Sequence, residues 1–260
     1  MPEDYTAGRG NPWDYDPGPP RNRSWPRLFS ETPNYRALGK AVMGTEKFRW
    51  HFGPMYYRGR LRDDEVKVLV IGQEGAQDES LSHRSFTGGT GGRMQHFLNH
   101  IGITYSYLFL NTFVYPIFGQ YSGSKIAWLA QHADSPIRQH RHKILDYVLA
   151  RNDVHLVVAV GRAAKESVRT WVESHGGSCP DGISDLSTCD SHVLGAKTKV
   201  LGVRHPGGAS SGSISAIKAD FRRAIRLVHD WASADSSWLP VDPGGTRGAA
   251  SAYQYSRAPI

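Results

Sequence analysis

The chain has 260 residues, 39% apolar and 21% charged, enough to build one large domain or two small ones. Its 31 Lys and Arg against 24 Asp and Glu leave a net charge of +7, which favours a polyanionic partner, nucleic acid first. Two cysteines, Cys179 and Cys189, exclude a disulfide scaffold and any four-cysteine zinc or iron–sulfur centre; no apolar run approaches the roughly 18 residues of a membrane span, and no signal-peptide core opens the chain, so a soluble, cytoplasmic protein without membrane contact is expected.

Residues 1–26 are rich in Pro, Gly, Asp and Arg and show no periodicity, so they are read as a disordered arm. Up to Arg62 the chain carries 11 Lys and Arg against 6 Asp and Glu, which makes this arm basic. A short helix is expected around Tyr35–Met43. Val66–Ile71 is a mostly β-branched run stopped by Gly72, the pattern of a buried parallel strand. Met94, Phe97, Leu98 and Ile101 then line one helical face, closed by Gly102. Tyr107–Leu110 reads as a second strand ending at Asn111, and Ile137, Ile144, Leu145, Val148 and Leu149 as another helical face. His155–Val160 is a third strand stopped by Gly161, followed by a helix through Ala164, Val168, Trp171 and Val172. Lys199–Val203 is a fourth strand, and Ile214, Ile217, Phe221, Ala224, Val228 and Trp231 mark a long closing helix. Residues 233–260, rich in Gly, Ser, Ala and Pro, read as a flexible tail. The expectation is one domain over 27–232, its packed core about 66–231, with a central, mainly four-stranded parallel sheet in a three-layer α/β/α sandwich.

In such folds ligands sit outside the carboxyl ends of the strands. Gly72-Gln73-Glu74-Gly75-Ala76-Gln77-Asp78 follows the first strand, Asn111 ends the second, and His205-Pro206-Gly207-Gly208-Ala209-Ser210-Ser211 follows the fourth. An amide can read a base edge through both a donor and an acceptor. A histidine can donate to a leaving oxygen, and a carboxylate can hold a water or face a developing cation. The glycine run Thr87–Arg93 has no Gly-Lys-Ser/Thr ending and so is not a P-loop; its small residues suit a close backbone approach. Cys179 and Cys189, with His175 and His192 nearby in sequence, form a conceivable zinc clip.

These segments resemble the uracil-DNA glycosylase superfamily. GQEGAQD and the Phe86-Thr87-Gly88-Gly89-Thr90-Gly91 spacing are similar to the first two motifs of its iron–sulfur branch, family 4. Leu108-Phe109-Leu110-Asn111-Thr112, Val157–Ala164 and His205-Pro206-Gly207 match three later ones in order. Gln73 and the acid after it also look like the Gly-Gln-acid start of the family 1 enzymes. The chain departs in having Gly75 where a proline is usual, in lacking the four cluster cysteines, and in a small final loop without a bulky duplex wedge. It is therefore similar to a divergent, cluster-free bacterial member.

The resemblance implies a monofunctional enzyme that extrudes deoxyuridine from DNA and cuts its N-glycosidic bond, initiating base-excision repair as a monomer without cofactor or metal. Phe86 would stack under uracil, against the plainer reading of a core aromatic near a turn. Asn111 would pair with the uracil edge and reject cytosine, and Gln73 and Gly75 would contribute to the base site. His205 would donate to the departing uracil oxygen. Glu74 or Asp78 would position the water, a choice the sequence leaves open. Arg204, Gly207, Ser210, Ser211 and Lys218 would meet DNA, single- or double-stranded, through sequence-independent contacts. The rival readings are a glycosylase for hypoxanthine or mispaired thymine, and a protein that binds uracil or DNA without turnover.

Overall fold

A computed structural model of the chain describes residues 27–28, 31–43, 48–49, 54–55, 57–60, 62–76, 79, 84–117, 124–207 and 211–255. The arm 1–26 expected to be disordered lies outside the described residues, as do Asp78 and Ser210.

Among the described residues, six α-helices and five strands build the domain. In chain order they are α1 (Tyr35–Met43), β1 (Tyr57–Gly59), β2 (Val68–Gly72), α2 (Gly89–His100), β3 (Tyr107–Asn111), α3 (Ser124–Gln131), α4 (Pro136–Leu149), β4 (Leu156–Val160), α5 (Arg162–Ser174), β5 (Lys199–Val203) and α6 (Ser211–Ala234). The sheet runs β1-β3-β2-β4-β5. The last four strands are mutually parallel, and β1 adds an antiparallel edge against β3. The expected four-stranded parallel sheet is therefore there, extended by a fifth strand too short to show a periodicity.

The strands are buried on both faces, so they read as unbroken apolar runs. Alternation along each strand sends Val68, Val70, Phe109, Val158 and Leu201 to one layer, with Met94 and Phe97 of α2 and Phe221 and Val228 of α6. Leu69, Ile71, Leu108, Val157 and Val200 face the other layer, with Leu145 and Val148 of α4 and Val168 and Trp171 of α5. A third cluster around Phe48, Phe113, Ile126 and Leu129 packs α1 and α3 onto the loop after β3.

The chain leaves β2 toward β3 and leaves β4 toward β5, so the crossovers diverge between β2 and β4. That divergence opens the sheet at its carboxyl rim, the usual ligand position.

Two sequence expectations are corrected. Residues 235–255 are no loose tail: Trp238, Leu239 and Tyr253 are buried in the α2–α6 layer. The buried Asp242 Oδ2 accepts the backbone N–H groups of Thr104, Tyr105 and Ser106 at 2.8–3.0 Å. Small residues made this stretch look loose, while a few large ones anchor it. The zinc clip also falls, because Cys179 and Cys189 are joined in a disulfide.

Candidate active site

Gly72 ends β2, and the space above it is already taken. A Cβ there would lie 2.5 Å from Phe86 Cζ and 2.6 Å from Asn111 Oδ1. The missing side chain lets an aromatic ring and an amide from two other segments meet at the strand end. Asn111 arrives because Gly72 and Asn111 are register partners of β2 and β3. It is nearly buried, and its Nδ2 donates to Ser85 Oγ at 3.2 Å. That leaves one amide N–H and the Oδ1 acceptor for a ligand.

Phe86 is held by more than packing. Its φ is +61°, a left-handed backbone that non-glycine residues seldom adopt. The carbonyl beside this strain accepts from Arg58 Nη1 at 2.5 Å, a buried guanidinium on β1. From the other side α2 comes so close that a Cβ on Gly91 would lie 1.6 Å from the same oxygen. The glycine run thus works here by close approach. The ring stacks on Phe109 with centroids 4.7 Å apart and belongs to the buried cluster beside the sheet, as the plainer reading of a core aromatic near a turn expects.

In the first motif Gln73 Nε2 donates to Glu74 Oε1 at 3.0 Å, and the Ile117 N–H donates to Glu74 Oε2 at 3.1 Å. Burial pushes the Glu74 pKa up to about 7, although these hydrogen bonds and Arg49 pull the other way. Gly75 is buried because Met55 leaves no room; a Cβ would fall 1.8 Å from its Sδ.

The sequence reading missed Glu79. It accepts the Ala76 N–H at 2.8 Å and the Gly88 N–H at 3.3 Å, tying the first loop to the Phe86 loop. One residue from Asp78 in an acidic, unpatterned stretch, it carried no distinguishing signal.

His205 stands on the rim between two glycines. A Cβ on Gly161 would lie 3.1 Å from its Cβ, and one on Gly207 2.9 Å from its Cε1. The Gly207 N–H donates to its Nδ1 at 3.1 Å, so the neutral ring carries its proton on Nε2. Loss of hydration among these neighbours holds the pKa below the ordinary histidine value, and the Glu79 charge opposes this.

The proposed DNA contacts are less gathered. Arg204 is exposed and its backbone N–H donates to Asp220 Oδ2 at 2.6 Å. Lys218 is half-buried on α6. Ser211 opens α6, but its side chain lies outside the described residues. No group of three or more His, Cys, Asp or Glu among the described residues is placed to hold a metal, and no helix among them is long and apolar enough to cross a membrane.

Taken together, the strand ends supply a buried aromatic ring, an amide with a donor and an acceptor left over, an exposed histidine and a half-buried carboxyl. The uracil DNA glycosylase superfamily, as a family model, matches residues 59–228, more than half of the chain. No curated protein matches the chain.

Proposed function

The chain belongs to the uracil DNA glycosylase superfamily, and from that premise we propose that it takes deoxyuridine out of DNA and hydrolyses its N-glycosidic bond, releasing uracil and leaving an abasic site. The observation that carries this reading is the meeting of Phe86 and Asn111 over the bare Cα of Gly72. A base swung from the stack needs a flat apolar contact and a reader for its pairing edge. The free amide N–H and Oδ1 of Asn111 complement uracil O4 and N3–H. Cytosine presents a donor and an acceptor in the reverse order, and each mismatched group would be left unpaired.

Water oxygen bonds C1′ of the sugar as the C1′–N1 bond breaks, and the bonding pair leaves with uracil. Charge develops on the uracil oxygen, to which the Nε2–H of His205 is assigned to donate. The sugar passes through an oxocarbenium-like state. Glu74 is assigned to orient the water and take its proton; each carboxylate oxygen keeps a second lone pair beside its present hydrogen bond. Asp78, the other acid candidate, lies outside the described residues.

A second reading rests on the same amide. Hypoxanthine and thymine present the same acceptor and N–H pair as uracil, so Asn111 alone does not separate them. Oligonucleotides carrying single uracil, hypoxanthine or thymine:guanine sites test both. Uracil release with an abasic product is expected, and His205→Ala should slow it by about 10²-fold or more, the scale of losing one preorganised donor. No abasic product at uracil would overturn the assignment.

A further inference from the structure

The family match ends at residue 228, yet the chain continues across the α2–α6 layer and returns to the catalytic rim. From Asp242, fixed under the amino end of the sheet, it pairs Arg247 with Ile101 in a β-bridge. The Gly248 N–H donates to the His100 carbonyl at 2.8 Å. Arg222 Nη2 then donates to the carbonyls of Ser251 and Tyr253 at 3.1 and 3.3 Å. Tyr253 is fully buried and stacks on Phe221. Two residues on, the Tyr255 hydroxyl donates to the carbonyl of Pro206. Arg93 of α2 lies over the Tyr255 ring at 5.0 Å and donates its Nη1–H to the same carbonyl at 3.2 Å.

We propose that residues 235–255 form a strap whose Tyr255, with Arg93, acts as a positioning residue for His205. The link is one peptide unit. Both lone pairs of the Pro206 oxygen are engaged, and the N–H of that same planar unit belongs to Gly207, which donates to His205 Nδ1. Anchoring the oxygen therefore orients the N–H, and the N–H keeps the imidazole proton on Nε2, the atom assigned above to the leaving oxygen. This role rests on the glycosylase reading for its catalytic consequence, and on the geometry alone for the imidazole.

The test is Tyr255→Phe, which removes only the hydroxyl, with Tyr253→Phe as control. The Tyr253 hydroxyl is buried and has no hydrogen-bond partner among the described residues, so its loss should leave the rim untouched. In Tyr255→Phe the ¹⁵N resonances of His205 should shift toward a mixture of the two neutral tautomers. The kcat for uracil excision should fall about tenfold, the worth of a positioning contact, with KM within about twofold of wild type. Tyr253→Phe should match wild type in all three. Unmoved His205 resonances overturn the proposal, and so does an unchanged kcat. If the wild-type protein excises no base at all, the glycosylase reading fails, while the resonances alone still decide whether the strap sets the tautomer.

Discussion

At Glu74 burial and hydrogen bonding pull in opposite directions, and burial wins, raising its pKa to about 7 from an ordinary 4.5. The folded chain thus keeps a proton that the unfolded chain gives up between those two values. Stability must fall as pH rises through this window and level off above it. Glu74→Gln has no proton to lose and retains an acceptor for the Ile117 N–H. Thermal melts from pH 4 to 8 should show wild type losing ground to Glu74→Gln as pH passes from about 4.5 to 7; parallel curves would remove Glu74 from the buried, proton-holding role. Legibility at this scale was uneven. Asn111 and His205 announced themselves by ending or following strands, where the fold collects ligands. Arg58, Ser85 and Glu79 gave no such sign: Arg58 reaches the Phe86 carbonyl 28 residues away and Ser85 the Asn111 amide 26 away, partners brought near only by folding, and Glu79 ties down nearby loop backbone from a stretch without a pattern.

Among the elements, α2 shows how spacing becomes geometry. Its apolar face was plain from Met94, Phe97, Leu98 and Ile101, all buried against the sheet. Its glycine-rich start was ambiguous until the approach of Gly91 to Phe86 appeared. A methyl group there would sit 1.6 Å from the Phe86 oxygen and 2.4 Å from its carbonyl carbon, inside any permitted contact. Gly91→Ala must push α2 outward or tear the Phe86 carbonyl from Arg58. It should cost about 3 kcal/mol of stability, toward the upper end for an overpacked site, and reduce uracil excision more than any surface substitution on α2. Denaturant melts and the excision assay check both; a variant as stable as wild type would contradict this geometry. The edge strand β1 and helix α3 escaped the sequence reading. Three residues cannot display a period of two, and α3 is a single eight-residue segment whose apolar residues pack on α1, α4, α5 and the loop after β3 rather than on the sheet.

For the whole molecule, the largest revision concerns the carboxyl-terminal stretch. Asp242 carries a carboxylate into a buried site, which by itself would raise its pKa; the hydrogen bonds from the 104–106 turn outweigh that and leave it below the ordinary value. Its contribution is therefore present above the usual carboxylate range and fades as pH falls through the lowered pKa. Lys67 Nζ adds an ion pair at 3.2 Å. Asp242→Ala would strand three backbone donors beside β3, a loss of about 3–5 kcal/mol. Urea unfolding at pH 7 should show a drop of that order, together with easier proteolysis beyond Ala234. A variant within 1 kcal/mol of wild type, the scale of an ordinary hydrogen bond, would return the segment to the status of a tail.

The sequence by itself determined the α/β alternation, the four parallel strands and the family resemblance. Hydrophobic periodicity and strand-terminal motifs are local, and a buried strand or a helical face must declare itself within about ten residues. Only the tertiary structure decided the strand order that opens the rim, the union of Cys179 with Cys189, and the hold of Tyr255 and Arg93 on the His205 loop. Apart from the two cysteines, which stand ten residues apart, those contacts join residues far apart in the chain, and their energies exist only after the intervening sequence has folded.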